Sequence, residues 1–191
     1  MRSESGDVEG MIGVATDVSE RHKLQKEFEY RAFHDPLTGL PNRDLFMDRL
    51  EHALVKAERR GESVAVIYMD LGNLKAVNDS MGHEAGDDLL VSVAERLKEC
   101  LRRGDSCARL GGGEFAVLIE EAGAEKAAEV SRRISAAFRK PLSGRSTTVI
   151  APSIGTALSP KDGENPKELI KAADRAMYAA KARSEAENPE A

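Results

Sequence analysis

The apolar positions of the chain alternate between two spacings, and this alternation predicts one mixed α/β (α+β) domain. Residues 42–59 carry apolar side chains every three or four positions, which predicts an amphipathic helix. Residues 64–69 are a continuous apolar run, typical of a strand buried in the centre of a sheet. The remaining pattern predicts helices at 86–101, 124–138 and 166–182, a hairpin of strands at 106–110 and 115–119, and a strand around 147–157.

The first residues follow a different pattern. Residues 6–18 predict a glycine-broken strand, and Asp17 and Ser19 offer capping oxygens for a helix that ends near Pro36. The run from Gly13 to Arg21 resembles the last strand of a PAS sensor domain leading into a signalling helix. That resemblance implies a chain cut from a longer protein. We expect a PAS-like remnant at 1–18, a signalling helix at 19–34, the main domain at 35–183 and a disordered tail at 184–191.

Composition and charge favour a cytoplasmic domain. The net charge of −5 disfavours general nucleic-acid binding, which depends on a basic surface. No stretch approaches the roughly 20 apolar residues that a membrane span needs, and the N-terminus lacks the layout of a signal peptide. Cys100 and Cys107 form no metal-type cluster and are expected to be small buried hydrophobes. We therefore expect contact with neither nucleic acid nor membrane.

Two parts of the sequence carry residues suited to chemistry. The glycines at 111–113 join the hairpin strands and allow a ligand close to the backbone, because no Cβ intervenes. Asp70 ends the buried strand, where a carboxylate is unfavourable unless it binds a metal or pairs. Asn78 and Asp87 could together read a guanine edge, since the carboxylate accepts from N1–H and N2–H₂. Glycine-rich turns are also common, and Asn and Asp often serve as turn and cap residues.

Seven ordered motifs make the sequence similar to the GGDEF (diguanylate cyclase) family over about residues 33–181. In chain order they are DPLTGLPNR at 35–43, Asp70 with Lys75, Asn78-Asp79, Gly82-His83 with Gly86-Asp87, Arg109-Leu110-Gly111-Gly112 with Glu114-Phe115, Ser153-Ile154-Gly155, and ADRAMYAAK at 173–181. On these motifs the chain is identified as a member of that family.

The resemblance implies a fold and an activity. Family members fold like the palm of nucleotide cyclases, with a mostly antiparallel central sheet flanked by helices. Active members condense two GTP molecules into cyclic di-GMP and release pyrophosphate. Each subunit of a homodimer holds one GTP, and divalent ions bridging the phosphates suit this chemistry. The expected partners are therefore GTP, cyclic di-GMP and a second copy of the chain, with Mg²⁺ as cofactor.

The same resemblance assigns roles to individual residues. Asp70 and Glu114 would be the catalytic carboxylates, and they would hold the metal together with the backbone carbonyl of Leu71. The residues expected to bind the nucleotide are Asn78 and Asp87 at the guanine, Lys75, Lys171 and Arg175 at the phosphates, and Gly111 and Gly112 at the hairpin backbone.

Gly113 departs from the family pattern at the position that matters most for catalysis. Relatives carry Asp or Glu there and use it as a second metal carboxylate, and Gly72 stands where they often carry another Asp. Loss of one preorganised electrostatic group costs about 10²–10³ in rate. Glu114 is adjacent, but neighbouring strand residues point to opposite faces, so it is not a simple replacement. The sequence thus predicts a weakened Mg²⁺ site and impaired catalysis.

Arg102 and Asp105 form an Arg-x-x-Asp motif nine residues before Gly111. At this offset the family has an inhibitory site that binds cyclic di-GMP, and the pair could serve phosphate and guanine respectively. The plain alternative is a charged loop that ends a helix. Three functions stay open: a GTP-binding or cyclic di-GMP-binding regulatory module, a slow but active cyclase, and a passive dimerisation spacer.

Overall fold

The computed structural model describes residues 30–141 and 150–187, with the single positions 20 and 28. The elements below all lie in the compact unit that begins at Phe33. In chain order they are α1 (Arg43–Arg60), β1 (Ala65–Asp70), α2 (Leu74–Met81), α3 (His83–Glu99), β2 (Ser106–Gly111), β3 (Glu114–Ile119), α4 (Ala124–Phe138), β4 (Ser153–Leu158) and α5 (Pro166–Glu187).

The four strands form one sheet in the order β2-β3-β1-β4, and each pairing is antiparallel. The predicted fold class, a mostly antiparallel sheet flanked by helices, is confirmed. β1 lies in the interior between β3 and β4, where its continuous apolar run is buried. At its end Asp70 pairs with Glu114 on one side and Ser153 on the other.

Helices cover both faces of this sheet and bury two apolar clusters. Val66 and Tyr68 of β1 lie on the face covered by α1 and α5. Ile67 and Met69 lie on the opposite face, covered by α3 and α4. The alternation follows from the period of two along a strand, and it places Asp70 on the same side as Tyr68.

Local signals explain where α1 begins and ends. The side chain of Asn42 accepts a hydrogen bond from the amide of Leu45 at 3.1 Å, which caps the first turn. Gly61 ends the helix with a φ of 65°, a left-handed conformation that glycine adopts without strain. The helix predicted at 42–59 is confirmed.

Gly155 lets α5 pack directly onto β4. A methyl group there would overlap the backbone of Ala173 and Met177, so the helix could not lie as close beside any larger residue. Because this contact fixes the helix, it also fixes Lys181, one turn beyond Met177. Lys181 thereby comes to the end of β1.

Several predicted boundaries differ from the structure. The helix predicted at 86–101 begins earlier, at His83, and a separate short helix precedes it at Leu74–Met81. α5 runs to Glu187 rather than 182, so the first part of the tail predicted to be disordered is helical. β4 begins at Ser153, and residues 147–149 of the predicted strand lie outside the described residues.

In the N-terminal segment, positions 20, 28 and 30–33 are described and are helical, and the signalling helix at 19–34 stays a prediction. The PAS-like strand at 6–18 lies outside the described residues. Across the described residues, no helix is both long enough and apolar enough to cross a membrane.

Candidate functional site

The carboxylate of Asp70 lies at the end of β1 and is paired with a lysine. The ammonium group of Lys181 is 2.8 Å from Oδ2 of Asp70. The two side chains are 33% and 21% exposed, so the pair is partly shielded from water. Burial of this kind strengthens a charge pair relative to one on the open surface.

Glu114 lies directly opposite Asp70 in the β1–β3 register, so both side chains leave the same side of the sheet. Its carboxylate is 3.8 Å from the guanidinium of Arg43. Tyr68 lies two residues before Asp70 and shares that side. Burial, and then the negative charge of Glu114 with the hydrogen bond to it, raise the pKa of Tyr68 to about 12, while Arg43 opposes the rise. Glu114 is therefore held by Tyr68 and Arg43.

The glycine turn between β2 and β3 is anchored by Arg109. Its Nε donates to the carbonyl oxygen of Gly112 at 3.0 Å, and its NH1 donates to both carboxylate oxygens of Asp35 at 3.1 Å. Asp35 also accepts from the amide and hydroxyl of Thr38, at 2.8 and 2.6 Å. The Arg109 guanidinium thus connects the loop before α1 to the glycine turn.

Within the turn, Gly111 and Gly112 have φ values of 147° and 47°, in the region that favours glycine. The φ of Gly113 lies outside that region, so a residue with a side chain can adopt its backbone conformation. A Cβ at Gly113 would lie 3.4 Å from the carbonyl oxygen of Leu71 and 3.3 Å from its Cβ. A carboxylate at this position would therefore adjoin the Leu71 carbonyl, where this chain has only a hydrogen atom.

The carboxylates expected to hold a divalent metal are each paired with another side chain. Mg²⁺ is typically held by one or two carboxylates together with substrate phosphates. Asp70 is paired with Lys181, Glu114 is held by Arg43 and Tyr68, and Gly113 offers no oxygen. Within 30–141 and 150–187, no three His, Cys, Asp or Glu side chains come together as a possible metal group.

The proposed guanine contacts lie where α2 meets α3. A methyl group at Gly86 would overlap the side-chain oxygen of Asn78, so that amide rests against the Gly86 backbone. Asp87 is the next residue and is exposed, as is Lys75 at the start of α2. Because Gly86 has no side chain, the Asn78 amide can lie against the backbone immediately before Asp87.

Lys171 and Arg175 are exposed on α5, well before Lys181 along the helix. The buried stripe of α5 runs through Leu169, Ala173 and Met177, and both cationic residues are exposed two positions off that stripe. They are about 15 and 9 Å from Lys181 along the helix axis. Their assignment to phosphate stays a prediction, and Lys181 is the α5 cation that meets Asp70.

The two charged residues of the Arg-x-x-Asp motif pair with each other. Nε of Arg102 donates to Oδ1 of Asp105 at 3.1 Å, and the Arg102 amide donates to Oδ2 at 3.3 Å. NH2 of Arg102 also donates to the carbonyl of Glu120 at 3.0 Å. The Asp105 side chain is 1% exposed and that of Arg102 is 50% exposed. Only Arg102 is accessible to a ligand in this arrangement.

The sequence profile described as "Diguanylate cyclase, GGDEF domain" matches residues 32–187 of this chain. The chain belongs to the GGDEF family. It is 45% identical to MucR of Pseudomonas aeruginosa, named a bifunctional diguanylate cyclase/cyclic di-GMP phosphodiesterase, over 83% of this chain and 23% of that protein. It is 42% identical to the diguanylate cyclase TpbB of P. aeruginosa, over 83% of this chain and 38% of that protein. The GGDEF domain therefore spans well under half of these relatives.

Solved GGDEF structures agree with the fold. A sensory box/GGDEF protein from Caulobacter crescentus superposes with a TM-score of 0.75 at 40% identity, covering 79% of this chain and 99% of that one. The coiled coil and GGDEF domain of DgcB from C. crescentus, solved in complex with cyclic di-GMP, gives 0.78 at 28% identity, covering 86% of this chain and 88% of that one.

Lys181, Arg43 and Tyr68 lie near the end of β1, and the sequence assigned none of them a role. Lys181 and Arg43 belong to the matching motifs at the two ends of the GGDEF domain, so those motifs could have indicated them. Tyr68 is two residues before Asp70, so strand alternation alone places it on the same face.

We predict that Asp35 makes acid stability depend on the Arg109 network. Burial raises the pKa of Asp35, but the hydrogen bonds from Thr38 and the charge and hydrogen bond of Arg109 outweigh it, so the pKa lies below its ordinary value. A lowered pKa stabilises the fold above the unfolded-state pKa of about 3.9, and the stabilisation is lost as pH falls through the lower folded value.

Urea unfolding at a series of pH values measures this effect. The Asp35→Asn variant should be less stable than wild type near neutral pH, and the difference should shrink below about pH 4. Asp174→Asn, on the exposed side of α5, is the matched control and should run parallel to wild type. Parallel curves for Asp35→Asn and wild type across the acid range would contradict the assignment.

Proposed function

We propose that this GGDEF domain is a nucleotide-binding regulatory module of cyclic di-GMP signalling whose cyclase activity is impaired. The observation that carries the proposal is that Gly113 supplies no carboxylate beside the Leu71 carbonyl, whose oxygen would lie 3.4 Å from a Cβ at this position. A divalent ion bound with GTP would stabilise the charge that develops during the transfer, and Asp70, Glu114 and the Leu71 carbonyl would have to hold it without a carboxylate at position 113.

The guanine contacts support retained nucleotide binding. Asp87 can accept from guanine N1–H and N2–H₂, and the Asn78 amide can face the remaining edge. Adenine presents an acceptor at N1, so it would leave two lone pairs facing each other. Lys75 is exposed on α2, the helix of Asn78, and its ammonium group would meet the phosphates. These residues bind and orient a nucleotide without performing the transfer.

An active cyclase and a passive spacer are the alternatives. Glu114 lies in register with Asp70 and would have to leave Arg43 and Tyr68 to replace the missing carboxylate, which disfavours the active enzyme. The presence of both Asn78 and Asp87, a pair suited to a guanine edge, disfavours a passive spacer. A homodimer stays a prediction for this chain.

The catalytic prediction concerns Gly113. We expect the unmodified chain to form little cyclic di-GMP from GTP and Mg²⁺. Gly113→Asp should increase formation, by up to about 10²–10³ if the carboxylate is fully effective. The backbone at this position accepts a side chain, and its close neighbours are side chains of Leu71 and Leu74 and the Leu71 carbonyl.

Chromatographic quantification of cyclic di-GMP measures the result. Gly123→Asp is the matched control, because a Cβ there meets no atom within 4 Å and its φ is −76°. It should leave turnover unchanged. Brisk turnover by the unmodified chain would contradict the proposal.

The binding prediction is that GTP binds more tightly than ATP. Calorimetry with each nucleotide in the presence of Mg²⁺ measures the difference. Asp87→Ala should weaken GTP binding about tenfold or more, because a charge-assisted hydrogen bond is lost. Asp88→Ala removes the same charge from the next exposed residue and should bind GTP as wild type does. Equal affinities for GTP and ATP would contradict the guanine assignment.

Cyclic di-GMP is a second candidate ligand, favoured by the half-exposed guanidinium of Arg102. The two phosphates of this ligand offer acceptors that suit an arginine. Asp105 is fully occupied by Arg102, so in this proposal it positions the arginine and does not touch the guanine. DgcB, a structural relative, was solved in complex with cyclic di-GMP.

We predict that Arg102→Ala weakens cyclic di-GMP binding about tenfold or more in titration calorimetry. Arg103→Ala, the exposed neighbour in the same loop, is the control and should change the affinity little. Unchanged affinity in Arg102→Ala, or no binding by wild type, would remove cyclic di-GMP from the proposal and leave GTP as its ligand.

A further inference from the structure

A cleft of about 540 Å³ lies beyond the start of β1, at the end of the strand opposite to Asp70. One wall is the C-terminal half of α1, and the other is the segment from Ser159 to Pro166. The amide of Ser159 donates to the carbonyl of Val64, just before β1, at 2.8 Å. The six residues of β1 separate this end from Asp70 by roughly 17 Å. The cleft is therefore separate from the candidate nucleotide site, and its volume is within the range of about 300–1,000 Å³ common for small-molecule sites.

The charged residues that line this cleft are all acidic. They are Glu51, Glu58, Glu62 and Glu164. Across 30–141 and 150–187, none of these four carboxylates forms an ion pair with a lysine or arginine. Two other glutamates nearby differ in this respect, because Glu120 pairs with Lys56 and Glu121 lies near Arg60. Uncompensated charges of one sign around a cleft favour a ligand of the opposite sign, so the cleft suits a cation.

Apolar surface lies between two of these carboxylates. The stripe of α1 along the cleft has the spacing i, i+3, i+4, i+7 and consists of Glu51, Leu54, Val55 and Glu58. Leu54 is buried, whereas Val55 is 44% exposed. The Cα atoms of Glu51 and Glu58 are roughly 10 Å apart along the helix axis. A matching ligand therefore carries cationic groups at some distance from each other and an apolar chain between them.

Ser159 adds a buried hydroxyl to the opposite wall. The residue is 9% exposed, and its hydroxyl has no hydrogen-bond partner in the part of the chain that the structure describes. No buried side-chain oxygen or nitrogen of that part lacks both a partner and access to solvent, so this hydroxyl opens into the cleft that Ser159 lines. A buried hydroxyl without a partner is unfavourable, and it can accept a hydrogen bond from a cationic N–H group.

We propose that this cleft binds a linear aliphatic polyamine. Its ammonium groups pair with Glu51 and Glu58, its methylene chain covers Leu54 and Val55, and the hydroxyl of Ser159 accepts a hydrogen bond from it. Aliphatic ammonium groups stay charged at neutral pH, as that of lysine does. Methylene chains of this kind cover apolar surface while their charged ends stay in water. A metal ion would leave the apolar stripe uncovered, and a single ammonium group would reach only one of the two carboxylates.

Calorimetric titration with spermidine, a linear triamine, tests the proposal. It is done at low salt, because screening weakens exposed ion pairs, and without nucleotide, whose phosphates also attract polyamines. Wild type should bind spermidine saturably. The double variant Glu51→Gln with Glu58→Gln should bind about tenfold more weakly, because two exposed ion pairs are lost. Glu95→Gln with Glu99→Gln removes the same charge from exposed positions of α3 and should bind as wild type does.

A variant without a charge change and a second ligand complete the test. Ser159→Ala should weaken spermidine binding about threefold, because one hydrogen bond is lost. A trilysine peptide represents lysine side chains of a partner protein and should bind more weakly than spermidine. Tighter binding of trilysine would overturn the assignment to a polyamine. Absence of saturable spermidine binding, or equal weakening in the two double variants, would overturn the site itself.

Discussion

The pairing of β1 between β3 and β4 is the constraint on which the site depends. Its antiparallel register puts Asp70 opposite Glu114, and the alternation of the strand brings Tyr68 to the same face. The following residue, Leu71, turns its carbonyl toward the position of Gly113, and its amide donates to the Gly113 carbonyl at 3.1 Å. The acidic end of the strand and the glycine turn are thereby parts of one backbone arrangement.

Arg109 ties this arrangement to the loop that leads into α1. Because the same guanidinium donates to Gly112 and to Asp35, a shift of that loop would act directly on the glycine turn. The turn itself has two residues in the left-handed region, so its shape depends on backbone contacts more than on side-chain packing. Asp35 and Arg109 therefore stabilise the turn that the nucleotide would approach.

Two glycines give the chain its individual character within the GGDEF family. Glycine at 72 and 113 leaves fewer carboxylates around the end of β1, where Asp70 pairs with Lys181 and Glu114 lies near Arg43. The proposed function rests on this loss, because transfer of a phosphoryl group depends on preorganised charge.

Much of the fold follows from the sequence pattern. The helix at Ala124–Phe138 has the predicted bounds, and β1 is buried as its apolar run indicates. The bounds of α2 could not be predicted from the sequence, because only Val77 is buried in this helix and no apolar periodicity marks it. The end of α5 was placed too early because its last turns are mostly polar.

Long-range contacts explain what could not be predicted at the site. Lys181 meets Asp70 across 111 positions of sequence, through packing at Gly155 that no local pattern reveals. The burial of Asp105 by Arg102 depends on the rotamers of two side chains in one loop. Gly113, by contrast, was visible as a missing carboxylate from the sequence alone, and the structure adds which carbonyl it would have joined.

A crystal structure of this chain with a non-hydrolysable GTP analogue and Mn²⁺ tests the central claim most directly, because anomalous scattering locates the metal. The account predicts guanine between Asn78 and Asp87 and no anomalous peak between Asp70 and Gly113. A fully occupied Mn²⁺ ion bound to Asp70 and the Leu71 carbonyl would contradict it.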